Sequence, residues 1–289
     1  MTIAACYASP EGIVLGADST ASWGNHYFNS TQKLFEIGEN STLGIITWGL
    51  AGFDSVSYRT LIAQLADDLA RTPAQDVSEV AQRWATLVWD RYTNGALAAN
   101  IAEAKTLSAK TAHDPLDPTN TANRTADEQV RLDSLIATLS VGFCIAGHVL
   151  PDRSPAAYSI ALQPLETSAV VSPVSGWSFW GAPNMIGRLI FGIDSGLLEE
   201  IAASKHWTGT SADLSSIARQ YELSHGSLPI RDAIDFVHSS IASTIKAMKF
   251  SNLAQICGGP IEIAVITTDR KFRWVRHKPW DAAISEGDC

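Results

Sequence analysis

The sequence predicts an α+β fold, a four-layer αββα sandwich of two antiparallel sheets flanked by helices. Three observations predict it. Two apolar hairpin patterns occupy residues 2–18 and 34–48, two amphipathic helical patterns follow at once, and strands and then helices return after residue 138. The sequence contains neither an internal repeat nor a domain linker, so we expect residues 1–289 to form a single domain.

The turn sequences predict both hairpins. Residues 9–12 read Ser-Pro-Glu-Gly, with proline and glycine in the second and fourth places that a type I turn prefers. A Gly-Glu-Asn-Ser stretch at 38–41 connects the second pair of apolar runs in the same way. The strands predicted here are 2–8, 12–18, 34–37 and 43–48.

Helical periodicity predicts the outer layers. The first helix is expected to start at Asp54 or Ser55, both acceptable N-caps, and the second to follow Asp76. Pro229 stands at the start of the clearest helical pattern, a position where proline is tolerated. The remaining helices are predicted at 184–204, 211–223 and 230–249, and the remaining strands at 138–147, 156–162, 177–180, 261–267 and 272–275.

Two segments fall outside this order of strands and helices. Residues 106–126 form a polar stretch with several Thr, Asn and Pro residues, which predicts a surface insertion. A short C-terminal tail, 277–289, follows the last predicted strand.

Composition excludes several classes of protein. The chain is 46% hydrophobic and 18% charged, as is ordinary for a globular protein, and its net charge of −9 argues against a nucleic-acid partner. It has no long apolar stretch and no leader pattern, so we expect neither a membrane span nor export. The 4 cysteines lack paired spacing, which indicates reduced thiols in a cytoplasm. No histidines are spaced as metal ligands, and we expect no metal and no cofactor.

Thr2, Asp18 and Lys33 carry the clearest chemical prediction. A threonine hydroxyl is too weak an acid to attack an amide without a base. Once Met1 is removed, the free α-amine of Thr2, with a pKa of about 8, can be that base. A nearby lysine ammonium lowers the amine's pKa, and a carboxylate holds the lysine in place. These three residues therefore predict a self-contained nucleophile.

Residues 2–53 resemble the start of a mature proteasome β subunit and its bacterial relatives, the N-terminal-nucleophile (Ntn) threonine peptidases. The resemblance implies that Thr2 is the nucleophile, Asp18 the orienting carboxylate and Lys33 the activating lysine. It also implies that the backbone N–H of Gly49 stabilises the oxyanion. The segments that carry the resemblance, in chain order, are 2–5, 12–19, 33–37 and 47–52.

The same resemblance implies a substrate pocket. Its residues would be Ala21, Thr31 and Thr47, whose small side chains indicate a roomy pocket. Trp48 directly precedes Gly49 and has two interpretations of equal weight. It lies either beside the substrate channel or buried between the sheets.

The second half of the chain departs from the family pattern. Active members have an aspartate, two variable residues, a serine and two glycines where residues 254–259 read Ala-Gln-Ile-Cys-Gly-Gly. In the family these groups hydrogen-bond around the threonine amine. Contacts on the amine side are therefore expected from Ser251, Cys257 and Gly258, with Ser178 as another stand-in for the missing serine. If no stand-in exists, catalysis is weak or lost.

Three functions follow from these patterns. The first is a cytoplasmic threonine-type endopeptidase that cleaves unfolded or peptide substrates. The resemblance implies that it acts inside a ring of identical subunits, and it leaves an ATPase partner open. The second is a catalytically silent assembly or binding module. The third is an amidase for small amides, because fold alone does not set the substrate.

Overall fold

The computed structural model describes residues 2–23, 26–53, 56–114, 120, 122–204, 206–222, 227–251 and 257–278. Over these residues the protein is α+β, with antiparallel sheets and eight helices. The chain divides into two compact units, residues 1–34 with 175–289, and residues 35–174. The single-domain organisation stays a prediction.

The strands and helices have the following bounds. The strands are β1 (Ile3–Ser9), β2 (Gly12–Ala17), β3 (Ala21–Trp23), β4 (His26–Phe28), β5 (Leu34–Glu36), β6 (Leu43–Gly49), β7 (Val141–Gly147), β8 (Ala156–Leu162), β9 (Val170–Val174), β10 (Gly176–Gly181), β11 (Glu262–Thr267) and β12 (Arg270–Arg276). The helices are α1 (Tyr58–Arg71), α2 (Val77–Asn94), α3 (Ala98–Ser108), α4 (Ala126–Leu139), α5 (Asn184–Phe191), α6 (Ser195–Ala203), α7 (Ser211–Arg219) and α8 (Ile230–Phe250).

The first unit contains a five-stranded sheet in the order β10-β1-β2-β11-β12. Helix α8 packs on one face, where Val237 and Ile241 lie over Gly16 of β2; a Cβ on Gly16 would come within 2.6 Å of the Val237 side chain. The opposite face is also buried, since Ile13 and Leu15 have almost no exposed surface. A small hairpin of β3 and β4 adds a separate two-stranded sheet.

The second unit contains a five-stranded sheet in the order β5-β6-β7-β8-β9. Helices α1 to α4 supply its apolar core together with one face of the sheet. Trp84 of α2 is fully buried and meets the ring of Phe143 edge-on at 5.1 Å, which places it in the core of this unit.

Most predicted elements are present, and the differences have local causes. The helix predicted over 184–204 is two helices, because Gly192 adopts a left-handed φ of 74° and Asp194 caps a new N-terminus. Helix α1 begins later than predicted, with Ser57 as N-cap. Asp54 and Ser55 lie outside the described residues.

Several elements were not predicted. Helices α3 and α4 flank the polar stretch expected at 106–126, part of which lies outside the described residues. Strands β3, β4 and β9 were also missed. Only residues 277 and 278 of the predicted tail are described. Among the helices described here, none combines the length and the apolar character needed to cross a membrane.

Candidate active site

The β1–β2 hairpin places Thr2 beside Asp18. The strands pair antiparallel with Ala4 opposite Ala17. The next residues outward, Ile3 and Asp18, therefore face each other at the end of the hairpin away from its turn. The N–H of Asp18 donates to the carbonyl of Ile3 over 3.1 Å. Hairpin register alone therefore brings the start of the chain to the carboxylate.

The carboxylate of Asp18 is fully buried and accepts four hydrogen bonds. Oδ1 accepts from Lys33 Nζ at 2.6 Å and from the N–H of Ile3 at 3.1 Å. Oδ2 accepts from the N–H of Gly258 at 2.8 Å and of Thr20 at 3.3 Å. These donors fix the carboxylate and satisfy its charge, as a buried carboxylate requires.

Lys33 is buried, with 4% of its surface exposed. Its Nζ donates to Asp18 and to the carbonyl of Thr20. Burial holds the pKa of Lys33 below its ordinary value, the carboxylate of Asp18 opposes that shift, and the nearby Lys278 adds to it. The lysine is thus placed next to the Thr2–Ile3 peptide rather than in solvent.

Thr2 itself is 4% exposed. Within the described part of the chain, no hydrogen bond to its hydroxyl is found. Its carbonyl lies against Gly181 of β10, which has a φ of 85°; a Cβ on that glycine would lie 1.9 Å from the Thr2 oxygen. Glycine at position 181 is therefore a condition for the observed placement of Thr2.

The structure places two of the three predicted amine-side residues near Asp18. Gly258 donates its N–H to the carboxylate, as described above. Cys257 is fully buried, and burial, with the negative charge of Asp18 beside it, raises the pKa of its thiol to about 11. The thiol is therefore neutral at physiological pH.

The two serines proposed as stand-ins lie elsewhere. Ser251 follows α8, is exposed, and donates its hydroxyl proton to the carbonyl of Met248. Ser178 pairs with Cys6, four residues along β1 from Thr2. The residues between Ser251 and Cys257, including Ala254, lie outside the described residues.

Two pocket residues belong to the first unit, in the segment between Asp18 and Lys33. Ala21 begins β3 and is half-buried. Thr31, also half-buried, donates its N–H to the carbonyl of Ser19 at 2.9 Å. Their role in binding substrate stays a prediction.

Thr47, Trp48 and Gly49 end strand β6 in the second unit. Gly49 has a φ of 84°, and a Cβ there would lie 2.3 Å from the carbonyl of Ser140, so the position requires glycine. The indole of Trp48 lies over Gly142 of β7. Thr47 is buried, and its hydroxyl finds no hydrogen-bond partner in the described chain. The predicted roles of these residues in the oxyanion site and the pocket stay predictions.

Sequence reasoning missed a second buried ion pair beside Asp18. Lys278 Nζ lies 3.0 Å from Oε2 of Glu262 and donates to Ser19 Oγ at 3.0 Å. Glu262 is fully buried and lies opposite Ala17. The sequence signal for this buried pair was Glu262, a charged residue between two isoleucines in a strand.

Metal binding has no candidate in the described ranges. Among those residues, no group of three or more His, Cys, Asp and Glu side chains is arranged to hold an ion.

Comparison with known proteins shows a likeness of fold to solved structures. No family model matches the chain, and no curated protein does. The solved structure of the helical assembly of the Anbu complex from Pseudomonas aeruginosa contains a chain that is 17% identical to this one, with a TM-score of 0.54. The match covers 98% of this chain and 90% of that chain. At this identity the likeness shows a distant relationship of fold alone.

The sequence-based assignment to the proteasome β-subunit threonine peptidases was wrong. No family model supports it, and the similar solved structure shares only fold at 17% identity. The assignment depended on segments within residues 2–53. Apolar strands joined by glycine-containing turns recur wherever a hairpin of this geometry is needed, so these segments indicate fold more than family.

Proposed function

We propose that the protein is a hydrolase of peptide amide bonds, a threonine-type endopeptidase that uses Thr2 as its nucleophile after removal of Met1. One observation carries the proposal: Oδ1 of Asp18 accepts both from Lys33 Nζ at 2.6 Å and from the N–H of Ile3 at 3.1 Å. The cation and the start of the chain are therefore held by one buried oxygen atom.

The chemistry needs only groups of the chain and water. The hydroxyl oxygen of Thr2 attacks the substrate carbonyl carbon while its proton passes to the α-amine of the same residue. That ammonium then protonates the leaving nitrogen as the C–N bond breaks, which leaves an ester on Thr2. Water, deprotonated by the amine, hydrolyses the ester and restores the hydroxyl. Lys33 favours the neutral amine that starts the cycle.

The proposal includes assembly from identical subunits. Assembly is supported by the fold likeness to a chain that was solved in a helical assembly. Electron microscopy of the purified protein tests it. Isolated monomers would contradict self-assembly.

The test of catalysis begins with the intact mass of the purified protein. Loss of Met1 is expected, since a retained methionine ties the Thr2 nitrogen into an amide that cannot act as a base. The protein is then treated with a peptide epoxyketone, which reacts with an amine and a hydroxyl on adjacent carbons. Labelling of the wild type and not of Thr2→Ala is expected. A retained Met1, or equal labelling of the wild type and Thr2→Ala, contradicts the proposal.

A catalytically silent assembly module is the second candidate. The observation that favours it is the amine side of the site, where the thiol of Cys257 is buried and neutral. A thiol is a weak hydrogen-bond donor. Absence of Thr2-dependent labelling in protein that lacks Met1 would support this candidate. Hydrolysis of small acyl amides but not of peptides would instead indicate an amidase.

A further inference from the structure

Lys278 connects three parts of the first unit through one nitrogen atom. Its Nζ donates to Ser19 Oγ at 3.0 Å, to the carbonyl of Thr31 at 3.1 Å and to Oε2 of Glu262 at 3.0 Å. An ammonium has three protons, so these three acceptors use all of them. The side chain of Lys278 therefore holds Ser19, Thr31 and Glu262 together instead of extending into solvent.

Two of these acceptors stand near the two ends of the segment between Asp18 and Lys33. Ser19 also donates its N–H to the carbonyl of Gly258 at 2.9 Å and its hydroxyl proton to the carbonyl of Pro260 at 2.7 Å. The N–H of Thr31 closes the segment onto the carbonyl of Ser19 at 2.9 Å. Lys278, two residues after the end of β12, thus holds both ends of the segment.

Glu262 explains how the lysine is held. Its carboxylate has no exposed surface and lies opposite Ala17, the residue before Asp18. His277 Nδ1 lies 2.7 Å from its other oxygen. A buried ion pair adds little net stability compared with apolar side chains of the same volume. A role in fixing the positions of neighbouring residues accounts for the Lys278–Glu262 pair beside the Lys33–Asp18 pair.

We propose that Lys278, held by the buried carboxylate of Glu262, is a positioning residue that fixes Ser19 and Thr31, the two ends of the segment that precedes Lys33. The proposal rests on the proposed function, because this segment carries the Thr20 carbonyl that accepts from Lys33 and ends two residues before Lys33. Release of the segment would move Lys33 relative to Asp18 and to the start of the chain.

The decisive variant removes both charges, Lys278→Met with Glu262→Leu. Lys278→Met alone would leave a buried carboxylate without its lysine and lower stability for that reason. The double variant avoids this cost because apolar side chains replace both partners. Lys278→Arg keeps a charged donor, and Lys110→Met breaks the partly exposed ion pair with Glu128 as a control.

Two readouts are made on the full-length protein. Backbone hydrogen exchange reports on the Thr31 N–H, which we expect to exchange about tenfold faster in the double variant because its hydrogen bond opens more often. Epoxyketone labelling of Thr2 is expected to slow by about tenfold or more, since small misplacements of catalytic groups are costly. Lys278→Arg is expected to stay close to the wild type in both exchange and labelling. Lys110→Met is expected to change neither.

Separate outcomes decide the two proposals. If the wild type is not labelled at Thr2, the proposed function fails, and hydrogen exchange alone decides whether Lys278 holds the segment. Unchanged exchange at Thr31 in a folded double variant overturns the positioning role. Faster exchange with an unchanged labelling rate also overturns it, because the segment would then be loosened without consequence for Thr2.

Discussion

The Nζ of Lys33 lies 2.6 Å from Oδ1 of Asp18, and the two side chains are 5% and 0% exposed. The same oxygen accepts the N–H of Ile3, the residue that follows Thr2. A buried lysine and carboxylate at the start of the chain link fold stability to the proposed chemistry, and four predictions follow from the surroundings of this pair.

Lys33→Met is expected to lower the free energy of unfolding by about 3 kcal/mol, because it leaves the buried carboxylate of Asp18 without its cation. Thr2 labelling is expected to disappear. Urea unfolding and epoxyketone labelling measure the two effects. Lys110→Met, which breaks a partly exposed ion pair with Glu128, is the control, and it should leave the labelling unchanged. Full labelling of Lys33→Met would show that the lysine has no part in activating Thr2.

Gly181→Ala is expected to abolish Thr2 labelling. Gly176 and Gly181 both lie in β10 with positive φ, so alanine costs about 1–2 kcal/mol of conformational energy at either position. At Gly176 a Cβ meets nothing within 4 Å, whereas at Gly181 it lies 1.9 Å from the Thr2 carbonyl. Gly181→Ala should therefore cost about 2 kcal/mol more than Gly176→Ala in urea unfolding. Equal effects of the two variants would contradict the contact with Thr2.

The contribution of Lys33 to stability is expected to rise with pH. Burial lowers its pKa in the folded protein below the ordinary value of 10.5. Between the folded pKa and 10.5 the unfolded chain binds more protons at this residue, so raising the pH through that window favours the folded state. The difference in unfolding free energy between wild type and Lys33→Met, measured from neutral to alkaline pH, should increase. A decrease would mean that Asp18 outweighs burial.

Cys257 is expected to resist alkylation in the folded protein. With a pKa of about 11 and no exposed surface, its thiol is almost wholly protonated and inaccessible near neutral pH. Iodoacetamide treatment followed by peptide mass spectrometry should find Cys257 unmodified in buffer and modified in guanidinium chloride. Rapid modification of the native protein would show that the amine side of the site is open.

Elements with a strong local signal were predicted well. The turn at residues 9–12 predicted the β1–β2 hairpin, and Asp76 is the N-cap of α2, with its side chain accepting from the N–H of Glu79. Helix α4 was missed although Thr125 and Glu128 form a capping box, a signal present in the sequence.

The site was predicted in part for a similar reason. Ile3, the residue after Thr2, meets Asp18 because a hairpin with a short turn pairs its two ends, which sequence spacing encodes. The contact between Lys278 and Ser19 spans 259 residues and leaves no local pattern. Membership of a peptidase family was inferred from the same short N-terminal patterns and did not hold, because such patterns report backbone geometry.

Turn residues, apolar alternation and helix caps act over a few residues, so the sequence by itself determined the two hairpins, helix α8 and the approach of Thr2 to Asp18. Only the tertiary structure decided that Lys33 is buried, that Gly258 completes the hydrogen bonds of Asp18, and that Glu262 holds Lys278 against Ser19. The physical reason is that burial and long-range pairing depend on which distant strands pack side by side, and the free energy of a charge depends on those neighbours.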